Sequence, residues 1–320
     1  MSGLSINYNE NRDAWDAFVS TSPQRSIFAY SNFLDSLLVK YELVTCYEKE
    51  NIVAGAIIIY SNSGRPIDTP FPFTQYQGLF LADNSALATH SRITRELKTV
   101  TEFITQLSNH FGNYCLCHSW RLSDLRPFQW HNYHEPENGR FRIDLRYTGV
   151  LDISAYRNFD DYLLSVRKVK RQEFNKASRL LKLKVCDDEG ILDELHAKTF
   201  ARQHIERTQR ESTLVKSIAR CAIKEEFGKL CCAMIDDVPV SAVLFLYDDR
   251  TAHYLFGAND PEYRKTFAGT FVLLEMIKDA FENGIREIDF VGVNSPDRGD
   301  FKISLNAELK PYFITSMGAL

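Results

Sequence analysis

The chain has 320 residues, 44% of them hydrophobic and 25% charged, an ordinary globular composition at a length that suits two domains. A net charge of −4 excludes broad nonspecific nucleic-acid binding but leaves room for a local basic groove. No apolar run nears the ~20 residues that span a bilayer, the polar start carries no secretory signal, and seven cysteines without paired CxxC elements fit buried thiols of a cytoplasmic protein rather than a metal site.

In chain order, residues 14–19 start a helix and 31–39 predict another, on Phe33, Leu34, Leu37 and Leu38. Residues 43–47 predict a strand, 48–51 a hairpin turn and 52–60 a strongly apolar second strand. After a loop rich in proline and aromatics, residues 92–110 predict an amphipathic helix, because Leu97, Val100, Phe103, Ile104 and Leu107 recur at three and four. Gly112 stops it before a strand over 114–117. The stretch WRLSDLRPFQWHNYH, from Trp120, is aromatic and basic. Trp120, Arg121, Trp130 and Tyr133 are of types that stack on a sugar or a base, and equally of types that pack between domains.

Residues 141–153 return to strand, with an interruption expected at Thr148-Gly149. One helix is predicted over 159–180 and carries six Lys/Arg within fifteen residues, Arg167 among them. A strand over 182–186 and helices over 189–201 and 213–227 follow. Strands over 230–235, 240–247 and 251–257 then form a meander. An apolar helix over 269–283 delivers the chain to a strand over 288–291.

Two long segments repeat a pattern. LVTCYEKENIVAGAIIIYSN, from Leu43, aligns without a gap on LCCAMIDDVPVSAVLFLYDD, from Leu230, as strand, charged turn and longer apolar strand. Downstream of each comes amphipathic helix, glycine and short strand. The order and spacing imply a duplicated α/β domain with its boundary near 148–158, giving domains 1–150 and 151–320. A strand reached through a crossover helix lies parallel to the strand before it. The 251–257 and 287–291 strands are therefore the expected parallel pair. If they splay, a cleft opens between them, faced by the N-terminus of the 269–283 helix, whose N–H groups favour an anion.

Beyond that strand, Asn294, Ser295, Asp297, Arg298, Asp300 and Lys302 crowd a polar loop and a short helix, and ligands of open α/β sheets favour this strand end. Arg298 and Lys302, four apart, would share a helix face and hold a phosphate or carboxylate, while Asn294 and Ser295 supply neutral hydrogen-bonding groups. Acyl transfer to an amine needs a held carbonyl and stabilisation of the developing oxyanion. Asp289 and Glu308 are the candidate bases. Arg202 and His204 could reach the same groove, and either Tyr254 or His253 could orient an acceptor.

The meander, helix, strand, loop and final strand resemble the GNAT acyltransferase superfamily, and their tandem repetition resembles its FemAB-like branch of peptidoglycan-bridge and amino-sugar acyltransferases. The motifs are YLLSVRKVKRQEFNKASR, DDVPVSAVLFLYDDRTAHYLFGAND and IDFVGVNSPDRGDFKISLNAEL, the last leading to the pair Phe301-Lys302. The resemblance implies two tandem GNAT-like domains, each a mixed, mostly antiparallel sheet flanked by helices. It also implies N-acyl transfer from acyl-CoA to an amine, of an amino sugar on a nucleotide or envelope precursor. The pyrophosphate loop would comprise Arg264, Lys265, Ala268, Gly269 and Thr270. There the sequence departs from the superfamily pattern, since Phe267 stands where its first glycine belongs and hinders close backbone approach to phosphate. Two alternatives follow: FemAB-type transfer of an amino acid from tRNA, which the basic helix near Arg167 would serve, and a non-catalytic binding module.

Overall fold

The computed structural model describes residues 3–202 and 204–318, the side chains of Pro296, Asp297 and Arg298 excepted. The chain divides into two compact units, residues 1–146 with 311–320, and residues 147–310. The last ten residues, assigned above with the second half, lie in the first unit because the closing strand (Glu308–Met317) pairs through its end with a strand of that unit.

In the first unit β1 (Leu4–Asn7), β2 (Tyr41–Glu48), β3 (Asn51–Ile59) and β4 (Phe80–Leu81) form an antiparallel sheet in that order. Three helices accompany them, α1 (Arg12–Thr21), α2 (Ser31–Asp35) and α3 (Thr89–Phe111). Asn11 caps α1 by accepting from the Asp13 and Ala14 N–H groups. Trp15 of α1 is fully buried and donates its indole N–H to the Ala29 carbonyl at 2.8 Å. Gly55 in β3 makes room for that ring, since a Cβ there would lie 2.7 Å from it. Helix α2 is shorter than its apolar pattern predicts: the Ser36 hydroxyl donates to the Phe33 carbonyl, and Leu38 turns left-handed at φ 56°. Helix α3 buries the predicted face, Val100, Phe103, Ile104 and Leu107, and ends at Gly112. β5 (Tyr114–Cys117) pairs antiparallel with the closing strand, and α4 (Arg126–Trp130) follows it.

His118, just after β5, is fully buried, its Nε2 2.9 Å from the Thr315 hydroxyl. Burial pushes its pKa down to about 3, so the folded ring stays neutral where an unfolded one takes up a proton. Between the ordinary histidine value, about 6.5, and that lowered value the unfolded state binds the extra proton. Stability should therefore fall as pH drops through this window, by about 1.4 kcal/mol per pH unit from this residue. Urea titrations between pH 4 and 7 should show a shallower slope for His118→Gln. An unchanged slope would assign the acid sensitivity to other groups.

The second unit begins within β6 (Phe141–Asp152) and continues through α5 (Phe159–Ser165), α6 (Lys168–Ala177), β7 (Lys182–Cys186), α7 (Glu189–Ala201) and α8 (Gln209–Lys224). Then come β8 (Gly228–Ile235), β9 (Val238–Tyr247), β10 (Thr251–Asn259), α9 (Ala268–Glu282), β11 (Glu287–Asp289) and α10 (Pro296–Ile303). Its strands run in the order β6-β11-β10-β9-β8-β7. All neighbours are antiparallel except β10 and β11, which the crossover α9 makes parallel. Asp236 and Asp237 both take positive φ, the conformation that a tight β8–β9 hairpin requires.

Three local expectations change here. Strand β6 runs without the break expected at Thr148-Gly149. The basic helix is two helices, because Val166 and Arg167 are extended and Val166 is buried in the core of the unit. Helix α8 starts early, at a capping box in which Thr208 and Glu211 satisfy each other's backbone N–H groups.

Each unit has its own core, one under α3 and one under α9. Each also repeats hairpin, third strand, helix and strand, as β2-β3-β4-α3-β5 and β8-β9-β10-α9-β11. These are two tandem domains of mixed, mostly antiparallel sheet flanked by helices. Among the described residues no helix is long and apolar enough to cross a membrane.

Candidate active site

Strands β10 and β11 pair over only three residues, Thr251 to His253 against Glu287 to Asp289. Beyond this they part. β10 runs on to Asn259 with a bulge between Tyr254 and Phe256, while the chain after Asp289 stays with β6 through Phe290 N–H to Gly149 O and Val293 N–H to Tyr147 O. The splayed pair expected from the sequence is thus present, and the bulge turns the side chains of β10 at the opening.

The segment on the far side of the opening is strained. Val291 and Gly292 take positive φ, 46° and 68°, and a β-branched residue is a costly occupant of that region. The backbone twist aims the carbonyls of Phe290, Val291 and Gly292 at one point, where Lys302 Nζ donates to all three at 2.6, 2.7 and 3.1 Å. Asp289 holds the same turn from beneath. Its Oδ1 accepts from the Val291 N–H at 2.9 Å and from the Thr148 hydroxyl at 2.5 Å, and the residue is 1% exposed.

Lys302, expected from the sequence to hold a phosphate or carboxylate, gives its three N–H groups to backbone carbonyls instead. It is half-buried and tied to the strand end, with the Tyr254 ring 5.3 Å from its Nζ. Tyr254, and not His253, is the member of the pair that meets it. His253 is buried against Asp248 at 3.2 Å, and that hydrogen bond helps hold the Asp248 carboxyl below its ordinary range against the opposing effect of burial.

The N-terminal end of α9 is a different matter. Phe267 is left-handed, φ 61°, and its ring packs at the edge of the core with Lys176 Nζ 5.3 Å away. Ala268 is buried in that core. At Gly269 a Cβ would lie 2.5 Å from the Asn259 amide oxygen, so the helix is packed directly against the end of β10. Thr270 is buried and donates to the Glu173 carboxylate at 2.9 Å, and Lys170 balances Glu173 at 2.8 Å. A carboxylate beside the first turn repels a second anion. Arg264 and Lys265 are exposed on the short turn before the helix. These residues do not fit a coenzyme A pyrophosphate in the usual GNAT mode, because the Phe267 side chain and the close Gly269–Asn259 packing hinder backbone approach and the Thr270 hydroxyl is already given to Glu173.

Other predicted residues are placed elsewhere or otherwise engaged. The Asn294 amide is committed to the Tyr147 backbone, accepting from its N–H at 2.8 Å and donating to its carbonyl at 2.9 Å. It extends the β6 ladder by a side chain instead of presenting itself to substrate. Ser295 is the exposed N-cap of α10, without a side-chain capping bond. The Arg298 side chain lies outside the described residues. Glu308 heads the closing strand, 76% exposed and paired with Lys310, and no described contact links it with Asp289. Arg202 and His204 are exposed after α7, and Arg167 is exposed before α6.

In the first unit the Arg121 guanidinium lies 4.1 Å over the Trp120 ring, which covers one of its faces. Trp130 and Tyr133 are exposed, with Arg126 and Arg140 over their rings at 5.5 and 5.4 Å. Glu173, Thr148, Phe290 and Gly257 were missed by sequence reasoning. Glu173 is hidden among the lysines and arginines of α6, and nothing local marks the other three.

The fold, with its splayed parallel pair, is of the tandem GNAT type. Residues 165–302 match the acetyltransferase (GNAT) domain family. In sequence the chain is similar to the aminoacyltransferase FemA of Staphylococcus epidermidis, 29% identical over 157 residues, covering 48% of this chain and 32% of FemA. It is also similar to the lipid II:glycine glycyltransferase of Staphylococcus haemolyticus, 26% identical over 163 residues and covering 46% and 36%. The chain therefore spans about a third of the length of the curated relatives it matches. Among solved structures it resembles FemX, TM-score 0.70 at 14% identity, covering 97% of this chain and 96% of FemX. A tandem GNAT protein from the clavulanic acid biosynthesis pathway gives 0.56 at 10%, covering 98% of each. At these identities the structural likeness is one of fold.

Proposed function

We propose that the chain is an aminoacyltransferase that moves an amino acid from aminoacyl-tRNA to an amine of a peptidoglycan-type precursor. The observation that carries this reading is the end of α9, where Phe267, Asn259 and the Thr270–Glu173 pair crowd the helix end that the GNAT resemblance would give to a coenzyme A pyrophosphate. The names of the sequence relatives, an aminoacyltransferase and a glycyltransferase, point the same way.

In this reading the acceptor nitrogen attacks the ester carbonyl carbon of the donor. The C–N bond forms, the C–O bond to the ribose breaks, and the proton lost by nitrogen is taken by the leaving ribose oxygen through water. Negative charge develops on the carbonyl oxygen; the Lys302 ammonium, whose three N–H groups are given to the Phe290, Val291 and Gly292 carbonyls, contributes a fixed positive charge beside the open edge of β10 and not a hydrogen bond. Asp289 positions the turn that carries Lys302's carbonyl partners. The exposed basic side chains near Arg167 are suited to the phosphates of the tRNA.

A second reading, N-acylation of an amino sugar on a nucleotide from acyl-CoA, is favoured by the match to an acetyltransferase domain. One assay separates the two. Purified protein is given glycyl-, alanyl- or seryl-tRNA, or acetyl-CoA, with a muramyl pentapeptide nucleotide or a nucleotide amino sugar as acceptor. Amide formation from charged tRNA, with none from acetyl-CoA, is the expected result. Acetylation of the nucleotide amino sugar would overturn the proposal.

A further inference from the structure

Tyr254 stands on β10 where that strand parts from β11, one residue beyond the last paired residue, His253. Its hydroxyl lies over Gly257: a Cβ at residue 257 would fall 1.7 Å from the hydroxyl oxygen and 2.6 Å from Cζ. No residue but glycine leaves room for the phenol there. The rest of the ring is fixed by neighbours of opposite character. Phe290 meets it edge-on at 6.2 Å and 89°, and Phe245 tilts against it at 5.8 Å. Both phenylalanines are fully buried, so the ring is backed by close-packed core and has nowhere to retreat. On its other side stands Lys302 Nζ at 5.3 Å. An acyl group seated at the opening beside Lys302 would have its substituent against this ring.

We propose that Tyr254 is a specificity-determining residue, the gauge that limits the size of the acyl substituent seated at the opening. The proposal rests on acyl transfer at this opening, but not on which carrier brings the acyl group. Side chains of at most two heavy atoms on the α-carbon, as in glycyl, alanyl or seryl, pass beside the ring, as does acetyl. The four-carbon branched side chain of leucyl, and the branched chain of isovaleryl, collide with it. Pockets that discriminate by size alone separate such groups by about 10- to 200-fold per methylene-scale difference.

The test uses stable probes on the full chain: RNA minihelices carrying glycine or leucine in amide linkage at the 3′ end, and in parallel acetyl-CoA and isovaleryl-CoA. The wild type should bind the glycyl minihelix at least tenfold more tightly than the leucyl one. Tyr254→Ala should bring that ratio close to one by tightening the leucyl complex, while Tyr254→Phe, equal in size, should keep the wild-type ratio. Should the alanine variant fold poorly, Tyr254→Val, suited to a strand, gives the same reading. An unchanged ratio in a folded alanine or valine variant overturns the proposal, as does a lost ratio in Tyr254→Phe. If neither minihelix binds the wild type but the acyl-CoAs do, the tRNA reading falls, and the gauge stands or falls on the acetyl-to-isovaleryl ratio in the same variants. Absence of binding by all four probes would overturn both.

Discussion

Lys302→Ala should cost both stability and acyl transfer. Three charge-assisted hydrogen bonds to consecutive carbonyls disappear together. Hydrogen bonds to charged groups contribute roughly 1.5–3 kcal/mol each, and the three share one cation and are not additive, so a loss on the order of 3 kcal/mol is expected. The carbonyls of Phe290, Val291 and Gly292 would then repel one another with nothing between them, and the left-handed turn at Val291 would lose the contact that opposes its strain. Transfer should fall as well, because the turn beside the opening loses its anchor and the opening loses a fixed positive charge. Lys302→Met keeps most of the aliphatic stem while removing the charge and its three hydrogen bonds, and so separates lost packing from lost electrostatics. The measurement is urea denaturation alongside single-turnover transfer at a temperature where each variant is folded. Wild-type stability in Lys302→Ala would mean that the carbonyl cluster holds its shape without the cation.

Asp289→Ala should lower stability by about 3 kcal/mol, through two buried groups left without an acceptor. The Thr148 hydroxyl and the Val291 N–H both donate to Asp289 Oδ1, in a residue that is 1% exposed. Leaving a buried donor unsatisfied costs about 1–3 kcal/mol for each group. Asp289→Asn retains an oxygen in that position and should recover most of the loss. It also decides between positioning the turn and acting as a base. A positioning residue leaves the asparagine variant with most of its activity and the wild-type pH–rate profile. A general base leaves it folded and inactive, with the acidic limb of the profile gone.

The units of secondary structure were legible because they rest on short-range chemistry. Apolar spacing of three and four in α3, charged turns between apolar strands, and glycine after helices are all properties of neighbouring residues. Repetition of that pattern was enough to expose the tandem architecture. The crossover through α9 was enough to predict a parallel pair, since an intervening helix leaves little choice of direction. Phe267 in the pyrophosphate loop was visible as a residue of the wrong type, and its left-handed backbone and packed ring give that departure its physical content.

What tertiary structure alone decided is how the polar residues of the site are used. Thr148 and Asp289 lie 141 residues apart and share a hydrogen bond. Glu173 and Thr270, 97 apart, put a carboxylate at the α9 end, and Asn294 serves the Tyr147 backbone 147 residues away. Lys302 is close in sequence to its partners but meets them only because Val291 and Gly292 turn left-handed, a conformation that Val291 disfavours and the surrounding contacts impose. A polar side chain carries the same donors and acceptors whether it faces solvent, substrate or its own backbone. Its composition and spacing therefore mark it as a site residue. Which of those partners it finds is settled by the fold, because a buried donor must be satisfied by whatever the packed chain brings within reach.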